Sequence, residues 1–347
     1  MKHHDSGVLP FLLPSESELH DLLDSPLPLG APESGRRYKA ERVLAEGGFG
    51  VVSLCREVMV GRMVAVKKLR RELLGDRRMV NLLAREARIL SMLEGIPGVL
   101  PLYDLDRDDW GCPFLVTKWI DGPDLFQIVR GRSKTAYRVP QQLSILADIA
   151  ETLSVVHQAG LVHQDIKPEN MMIDHDGRSY LVDWGSARWL SDRLNESSQA
   201  YTSERRQFIG SPMYASPETI QSKEIAATSD IYSIGSVLYE VLTGIPMIRG
   251  GSFHNSVELA LRGGHTRPSL QSPEREIPQI ADELWEQCTE INPDDRPQET
   301  QFIALRLRQI AGEIERQSNH RDSQSVANST PAAISMSGSQ HLEYSTT

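Results

Sequence analysis

The sequence predicts an α+β protein, with strands gathered in its first third and helices dominating the remainder. Three observations carry this. Residues 38–70 and 99–117 contain five short apolar segments bounded by turn residues, the pattern of strands. Residues 141–159, 230–242 and 298–314 read as helices, the first of them carrying a clear amphipathic stripe. Between the two regions lies LVHQDIKPENMMIDHDGRSYLVDWGSA, residues 161–187, in which Asp165 and Asp183 each follow a short apolar run. A carboxylate just past a strand end sits on a loop braced by a rigid element, where chemistry is usually placed.

The elements follow in chain order. Tyr38 to Leu44 leads into the turn Ala45-Glu46-Gly47-Gly48-Phe49-Gly50, Val51 to Arg56 returns, and Arg62 to Leu69 follows. Such a hairpin lets backbone N–H groups close over phosphate oxygens with no side chain in the way. The loop joins strand to strand, which argues against a dinucleotide fold, where it would open a helix. Ala45 stands where a first glycine would complete GxGxxG, and its Cβ disfavours φ > 0 there. Val64-Ala65-Val66-Lys67 alternates and places Lys67 on a strand. Residues 78–93 space Leu82, Leu83, Ile89, Leu90 and Leu93 as a helix that also carries Glu86. Val99 to Leu105 and Pro113 to Thr117 supply two more strands, and 118–122 is a short connector. The helix 141–159 carries Leu143, Leu146, Ile149, Leu153 and Val156 on one face and ends at Gly160, a C-cap signal. The helix beginning at Asp230 runs through Leu242 and closes at Gly244.

Composition narrows the function classes. The 347 residues leave room for a sizeable core, and the hydrophobic fraction of 39% implies that part of the chain does not pack. A net charge of -10 argues against general nucleic-acid binding and against a basic membrane patch. Cys55, Cys112 and Cys288 are odd in number and far apart, which suggests neither a disulfide framework nor a zinc site and points to a reducing cytoplasm. No apolar run reaches the ~18 residues of a spanning helix.

The ordered set HxDxKxxN, then DxG, preceded by the glycine turn, Lys67 and Glu86, resembles the eukaryotic-like serine/threonine protein kinases over roughly residues 37–317. The resemblance implies a two-lobed protein kinase fold: a small, mainly antiparallel β lobe with one key helix (37–117), a hinge (118–124) and a larger, mainly helical lobe (125–317). It also implies ATP with Mg²⁺, or Mn²⁺, and protein substrates including the chain itself in trans. Asp165 would take the proton of the acceptor hydroxyl and Lys167 would stabilise the γ-phosphate, while Asn170 and Asp183 would hold the metal. Gly47 and Gly50 would cover the phosphates; Lys67, paired with Glu86, would hold the α- and β-phosphates. Leu44, Val52, Ala65 and Met172 would sandwich the purine, with Thr117 at the mouth of the back pocket. The backbones of Lys118 and Ile120 would meet the adenine edge, and Asp124 the ribose. Lys167 in DIKPEN and Ser211 in GSPMYASPE match the Ser/Thr class, while Glu169 and Glu240 match positions that read a basic residue before the target hydroxyl in some relatives. The resemblance further implies that Asp230 bonds the catalytic-loop backbone and that Arg296 pairs with Glu218.

Two departures matter. Gln164 replaces the arginine that receives an activation-loop phosphate, so activity is expected not to depend strictly on that phosphate. Trp184 replaces the phenylalanine of DFG and is expected to pack under the Glu86 helix, near Leu90 and His163. The rival reading is a scaffold that binds ATP and partners without turnover; loss of Lys67, Asp165, Asn170 or Asp183 would favour it, and all four are present. The activation segment, 183–218, offers Ser197, Ser198, Tyr201, Thr202 and Ser203 as autophosphorylation sites or ordinary loop hydroxyls. Residues 1–36 read as a disordered arm, with a capping box at Ser15 opening a short Leu19-Leu22-Leu23 helix, and 318–347 as a disordered Ser/Thr-rich tail.

Overall fold

The computed structural model describes residues 37–48, 50–73, 76–108, 111–190, 211–223 and 225–329. Tyr38–Glu46 (β1), Gly50–Glu57 (β2), Met63–Leu69 (β3), Leu102–Arg107 (β4) and Pro113–Lys118 (β5) form an antiparallel sheet in the order β1-β2-β3-β5-β4. Strand alternation sorts the side chains of β3. Val64 and Val66 are buried in a small cluster with Cys55, Phe114 and Val116, whereas Ala65 and Lys67 point the other way and stay half-buried. The helix Arg77–Met92 (α1) buries Leu83, Ala87, Ile89 and Leu90 in the main core and brings Glu86, 6% exposed, to the same side as Lys67. This is the small lobe.

The larger lobe is helical. Leu125–Val129 (α2) is capped by Asp124, and Val139–Gln158 (α3) is followed by Gly160 at φ +81°. Pro217–Ile220 (α4) is capped by the Ser216 hydroxyl, which accepts from the Thr219 N–H, so serine suits the position better than alanine would. Ala227–Thr243 (α5) is buried from Thr228 to Thr243 and ends on Gly244 in the left-handed region, as its sequence predicts. Phe253–Arg262 (α6), Pro268–Gln271 (α7), Gln279–Cys288 (α8) and Thr300–Ser329 (α9) complete it. The sequence signals leave α2 and α6 to α8 unmarked, since their short stripes lack sustained periodicity.

Two small antiparallel pairs stand where the lobes meet. Leu161–Val162 (β6) pairs with Arg188–Trp189 (β9), and Met171–Ile173 (β7) pairs with Ser179–Leu181 (β8). Asp165 lies between β6 and β7 and Asp183 between β8 and β9, so each carboxylate stands on a loop clamped at both ends by a strand.

The expectation of a disordered tail from residue 318 needs correcting, because α9 runs on to Ser329. From Thr300 to Ser329 the chain contains one glycine, Gly312, and no proline, so nothing stops a helix once it has started. The arm 1–36 with its Ser15 capping box, the hydroxyls of 197–203 and residues 330–347 lie outside the described residues. No described helix is long and apolar enough to cross a membrane.

Candidate active site

One half-buried cation, Lys67, faces two carboxylates between the lobes. Lys67 Nζ lies 2.7 Å from Glu86 Oε2 and 2.8 Å from Asp183 Oδ1. Burial opposes the charge on Lys67, but Glu86 and Asp183 outweigh it and hold the ammonium pKa above its ordinary value. Burial likewise pushes Asp183 up, and the Lys67 ammonium more than reverses this, so the carboxyl titrates below its usual range. Burial pushes the Glu86 pKa up despite Lys67, and the Asp183 side chain, 46% exposed, faces the cleft. Asp183 sits at φ +63°, a strained position for a residue with a Cβ. Trp184 supports it from below. The indole is fully buried, donates from Nε1 to the Leu181 carbonyl (3.1 Å), and packs edge-on to His163 with centroids 4.7 Å apart. It shares the core with Leu90, as expected for the larger ring.

The catalytic loop is hung from α5. Asp230, fully buried, accepts from the N–H groups of His163 (2.9 Å) and Gln164 (2.8 Å) and bonds His157 Nε2 (2.8 Å). This fixes Gln164 at φ +68° and presents Asp165 beyond it. His163 Nδ1 accepts from the Asp165 N–H (3.3 Å), while Nε2 faces the Val182 carbonyl (3.3 Å). That pairing requires a neutral ring with its proton on Nε2, and burial lowers the His163 pKa in agreement. The Asp165 carboxylate accepts from Lys167 Nζ and from Asn170 Nδ2 (3.0 Å). Asn170 Nδ2 also bonds the Asp165 carbonyl (2.8 Å), which leaves the amide oxygen as its spare donor atom. The Val182 N–H donates to the Asn170 carbonyl (2.9 Å) and ties the two acidic loops together.

The glycine turn and hinge complete the cleft. At Gly50 an added Cβ would lie 2.4 Å from the Lys68 carbonyl, so only glycine fits. Gly47 has open space around it and is held by its N–H on the Gly50 carbonyl (2.9 Å) and by Arg70 Nε on its own carbonyl (2.7 Å). Ala45 lies in the extended strand opposite Val52, at a register irregularity, and needs no positive φ. Leu44, Val52, Ala65 and Met172 are all half-buried apolar side chains, the burial expected of a cleft lining, and Ala65 and Met172 are flanked by buried residues. Thr117, 7% exposed, pairs across from Ala65. The Lys118 N–H is spent on the Pro101 carbonyl (3.0 Å), and Ile120 is buried. Asp124 accepts from the N–H and the side-chain amide of Gln127, both at 2.7 Å.

Three features were not legible beforehand. Lys118 Nζ crosses the hinge to Asp174 Oδ2 (3.1 Å) and the Tyr180 hydroxyl (2.5 Å), a contact between positions too distant in sequence to leave a local signal. Gly122 packs on β7 so closely that a Cβ would lie 1.9 Å from the Ile173 carbonyl. Glu240, at a position that reads a basic substrate residue in some relatives, is fully buried and held by Arg130 (2.6 Å) and the Tyr214 hydroxyl (2.6 Å), so its carboxylate is already spent inside the lobe. Glu169 is exposed at the surface, and partial desolvation of its carboxyl raises its pKa. Ser211 anchors the following turn, its carbonyl accepting from Tyr214 and Ala215. Arg296 meets Glu218 with two parallel bonds of 2.7 and 2.9 Å, as expected.

Among the described residues no group of three or more His, Cys, Asp or Glu side chains forms a metal cage. Asp183 and the spare Asn170 oxygen nevertheless suit Mg²⁺, which is ordinarily held by one or two protein oxygens together with substrate phosphates and water.

Comparison with known proteins agrees with this arrangement. The family model for the protein kinase domain matches residues 38–306. The serine/threonine-protein kinase PknB of Mycolicibacterium smegmatis is 33% identical over 268 residues, 76% of this chain and 41% of that protein. A probable serine/threonine-protein kinase of Streptomyces coelicolor is 32% identical over 254 residues, 72% of this chain and 36% of its own length. A probable serine/threonine-protein kinase of Corynebacterium efficiens is 34% identical over 219 residues, 62% and 32% of the two chains. The chain therefore spans less than half the length of these curated relatives. With the fold, the paired carboxylate loops and the matched span in agreement, the chain belongs to the protein kinase family.

Proposed function

We propose that the chain is a protein-serine/threonine kinase that moves the γ-phosphoryl group of ATP to Ser and Thr hydroxyls of proteins. The observation that carries this reading is the assembled Lys67–Glu86–Asp183 cluster beside an Asp165 already held by Lys167 and Asn170. Phosphoryl transfer needs little covalent help from the protein; it needs position and charge. Lys67, pinned by Glu86, is placed to hold the α- and β-phosphates, and the Gly47–Gly50 turn to cover them. The Lys118 carbonyl and the Ile120 backbone take the adenine edge, Asp124 the ribose, and Leu44, Val52, Ala65 and Met172 the purine faces. Asp165 orients the acceptor hydroxyl and takes its proton, and Lys167 steadies the moving phosphoryl group. Asp183 and Asn170 would hold Mg²⁺, with Mn²⁺ able to serve. When bound, the ion neutralises charge on the β- and γ-phosphates.

The Ser/Thr class is supported by Lys167, by the Ser211 segment and by the names of the relatives. The cysteine pattern supports a cytoplasmic setting for this part of the protein. Gln164 carries no charge, which supports activity without an obligatory activation-loop phosphate; self-phosphorylation in trans would then mark the chain rather than switch it on. The test is transfer from labelled ATP and Mg²⁺ to the chain and to a generic basic protein, beside Asp165→Asn. Transfer to Ser and Thr that vanishes in the variant is expected. ATP binding without transfer would instead favour the scaffold reading. Phosphatase-treated protein should retain most of its activity, and complete loss would overturn the independence proposed for Gln164.

A further inference from the structure

Away from the cleft, an open polar pocket of about 490 Å³ lies beside α5, α6 and α7. Its polar lining comes from Arg249, Arg262, His265, Thr266 and Gln271, with no Asp or Glu among the lining residues, in a chain whose net charge is -10. Several other arginines of this lobe are ion-paired, Arg130 with Glu240, Arg267 with Glu286, Arg296 with Glu218 and Arg308 with Asp148 and Glu151, although Arg132, Arg188 and Arg316 are not, among the described residues. Arg249 and Arg262 form no ion pair among the described residues. His265, half-buried, also lines the pocket. Gly263 and Gly264 at the rim, at φ +63° and +69°, keep side chains out of the space. Behind the apolar part of the wall, Tyr239 packs against Trp285 with its ring tilted by 51°, and Trp285 Nε1 points to the Met247 sulfur at 3.3 Å.

We propose that this cavity is a docking site for a phosphate monoester borne on a serine or threonine of a polypeptide. Two arginines without an ion pair among the described residues line one acid-free pocket, which favours a dianionic oxyanion, and arginine forks match its oxygens. The space exceeds what a phosphate needs, and the Met247 and Leu259 side chains lie where a neighbouring apolar residue of a peptide would rest. The choice of carrier rests on the kinase reading, since phosphorylated Ser and Thr are what that reaction makes; the oxyanion site itself does not. A protein marked once would thereby be held for further transfer at the distant cleft.

The test measures binding without ATP, so that it stands apart from activity. Fluorescent pentapeptides with central phosphoserine and randomised flanks are titrated against the full chain by polarisation, beside the same pool with plain serine, and inorganic phosphate serves as competitor. Phosphoserine peptides are expected to bind at least tenfold more tightly than plain ones, and Arg249→Gln/Arg262→Gln to abolish the difference. Both arginines are exposed, so the variant should keep its melting temperature and its transfer rate to an unphosphorylated peptide. Equal binding of both pools, or phosphoserine binding untouched in the variant, overturns the proposal. Inorganic phosphate binding as tightly as the phosphopeptides would leave a free-anion site and overturn the peptide assignment.

Discussion

The proton-acceptor role proposed for Asp165 agrees with its partners, which hold the carboxylate at one oxygen and leave the other open among the described residues. Lys167 and Asn170 hold one carboxylate oxygen, and His163 holds its backbone N–H. Asp165→Asn keeps the shape and most of these contacts but loses the basic oxygen. It should lower kcat by roughly 10²–10⁴ while ATP affinity changes less than about threefold, measured by steady-state kinetics and nucleotide titration. His163 sets a second expectation. Its Nδ1 must stay unprotonated to receive Asp165, and burial holds its folded pKa below the unfolded one. The unfolded chain therefore binds the extra proton first, so stability falls as pH drops from about 6.5 towards the lowered value. Melting temperature should decline across that window, and His163→Phe should flatten the decline in part. His265, also lowered by burial, supplies the remainder, and a variant combining both changes separates the two.

The elements place these residues by close backbone contact more than by side-chain bonds. Gly50 against Lys68 and Gly122 against Ile173 are contacts that a methyl group would destroy. Gly122→Ala must push the hinge away from β7, and Lys118 must then let go of Asp174 or Tyr180. A cost of about 1–3 kcal/mol in stability is expected, with a several-fold rise in KM for ATP. Gly47→Ala meets open space and should cost far less, and comparable losses at the two sites would refute the steric account. These contacts also show what the sequence can and cannot disclose. The strands β1 to β3, the helix α1 and the carboxylate loops are legible because period, turn residues and fixed spacing all lie within short windows. Lys118 with Tyr180 spans 62 residues and Glu240 with Arg130 spans 110, and nothing local announces either pairing. Glu240 is instructive, since its residue type suited a surface role while the burial of α5 decided otherwise. The tail misled in the opposite way: its polar composition suggested disorder, but the absence of a breaker before Pro331 let α9 continue.

At the scale of the whole molecule, one buried ion pair closes the large lobe. Glu218 ends the activation segment and Arg296 lies 78 residues later, just before α9, so the pair joins the catalytic end of the lobe to its base. Arg296 is fully buried at its side chain, Glu218 is 6% exposed, and Ser229, Thr228 and Ile291 complete the bonding. Such a pair is worth little against a well-packed apolar replacement, but breaking one side leaves a charge stranded in the interior. Glu218→Gln should therefore cost about 3–5 kcal/mol, whereas Glu218→Leu/Arg296→Met should cost less than the single change. The acid limb of the stability curve follows from the same pair. Burial raises the Glu218 pKa, but the Arg296 guanidinium outweighs it and holds the folded value below the ordinary one. The pair's contribution is thus complete above the unfolded carboxylate pKa of about 4.3 and is lost as pH falls through the lowered folded value. Denaturant midpoints measured from pH 6 to pH 3 should fall steeply only in the lower half of that range. In the doubly apolar variant the fall should be shallower; an unchanged slope would mean that the acid sensitivity of the molecule resides in the other carboxylates held low by cationic or hydrogen-bonding neighbours, the buried Glu57, Asp174 and Asp230 and the more exposed Asp183.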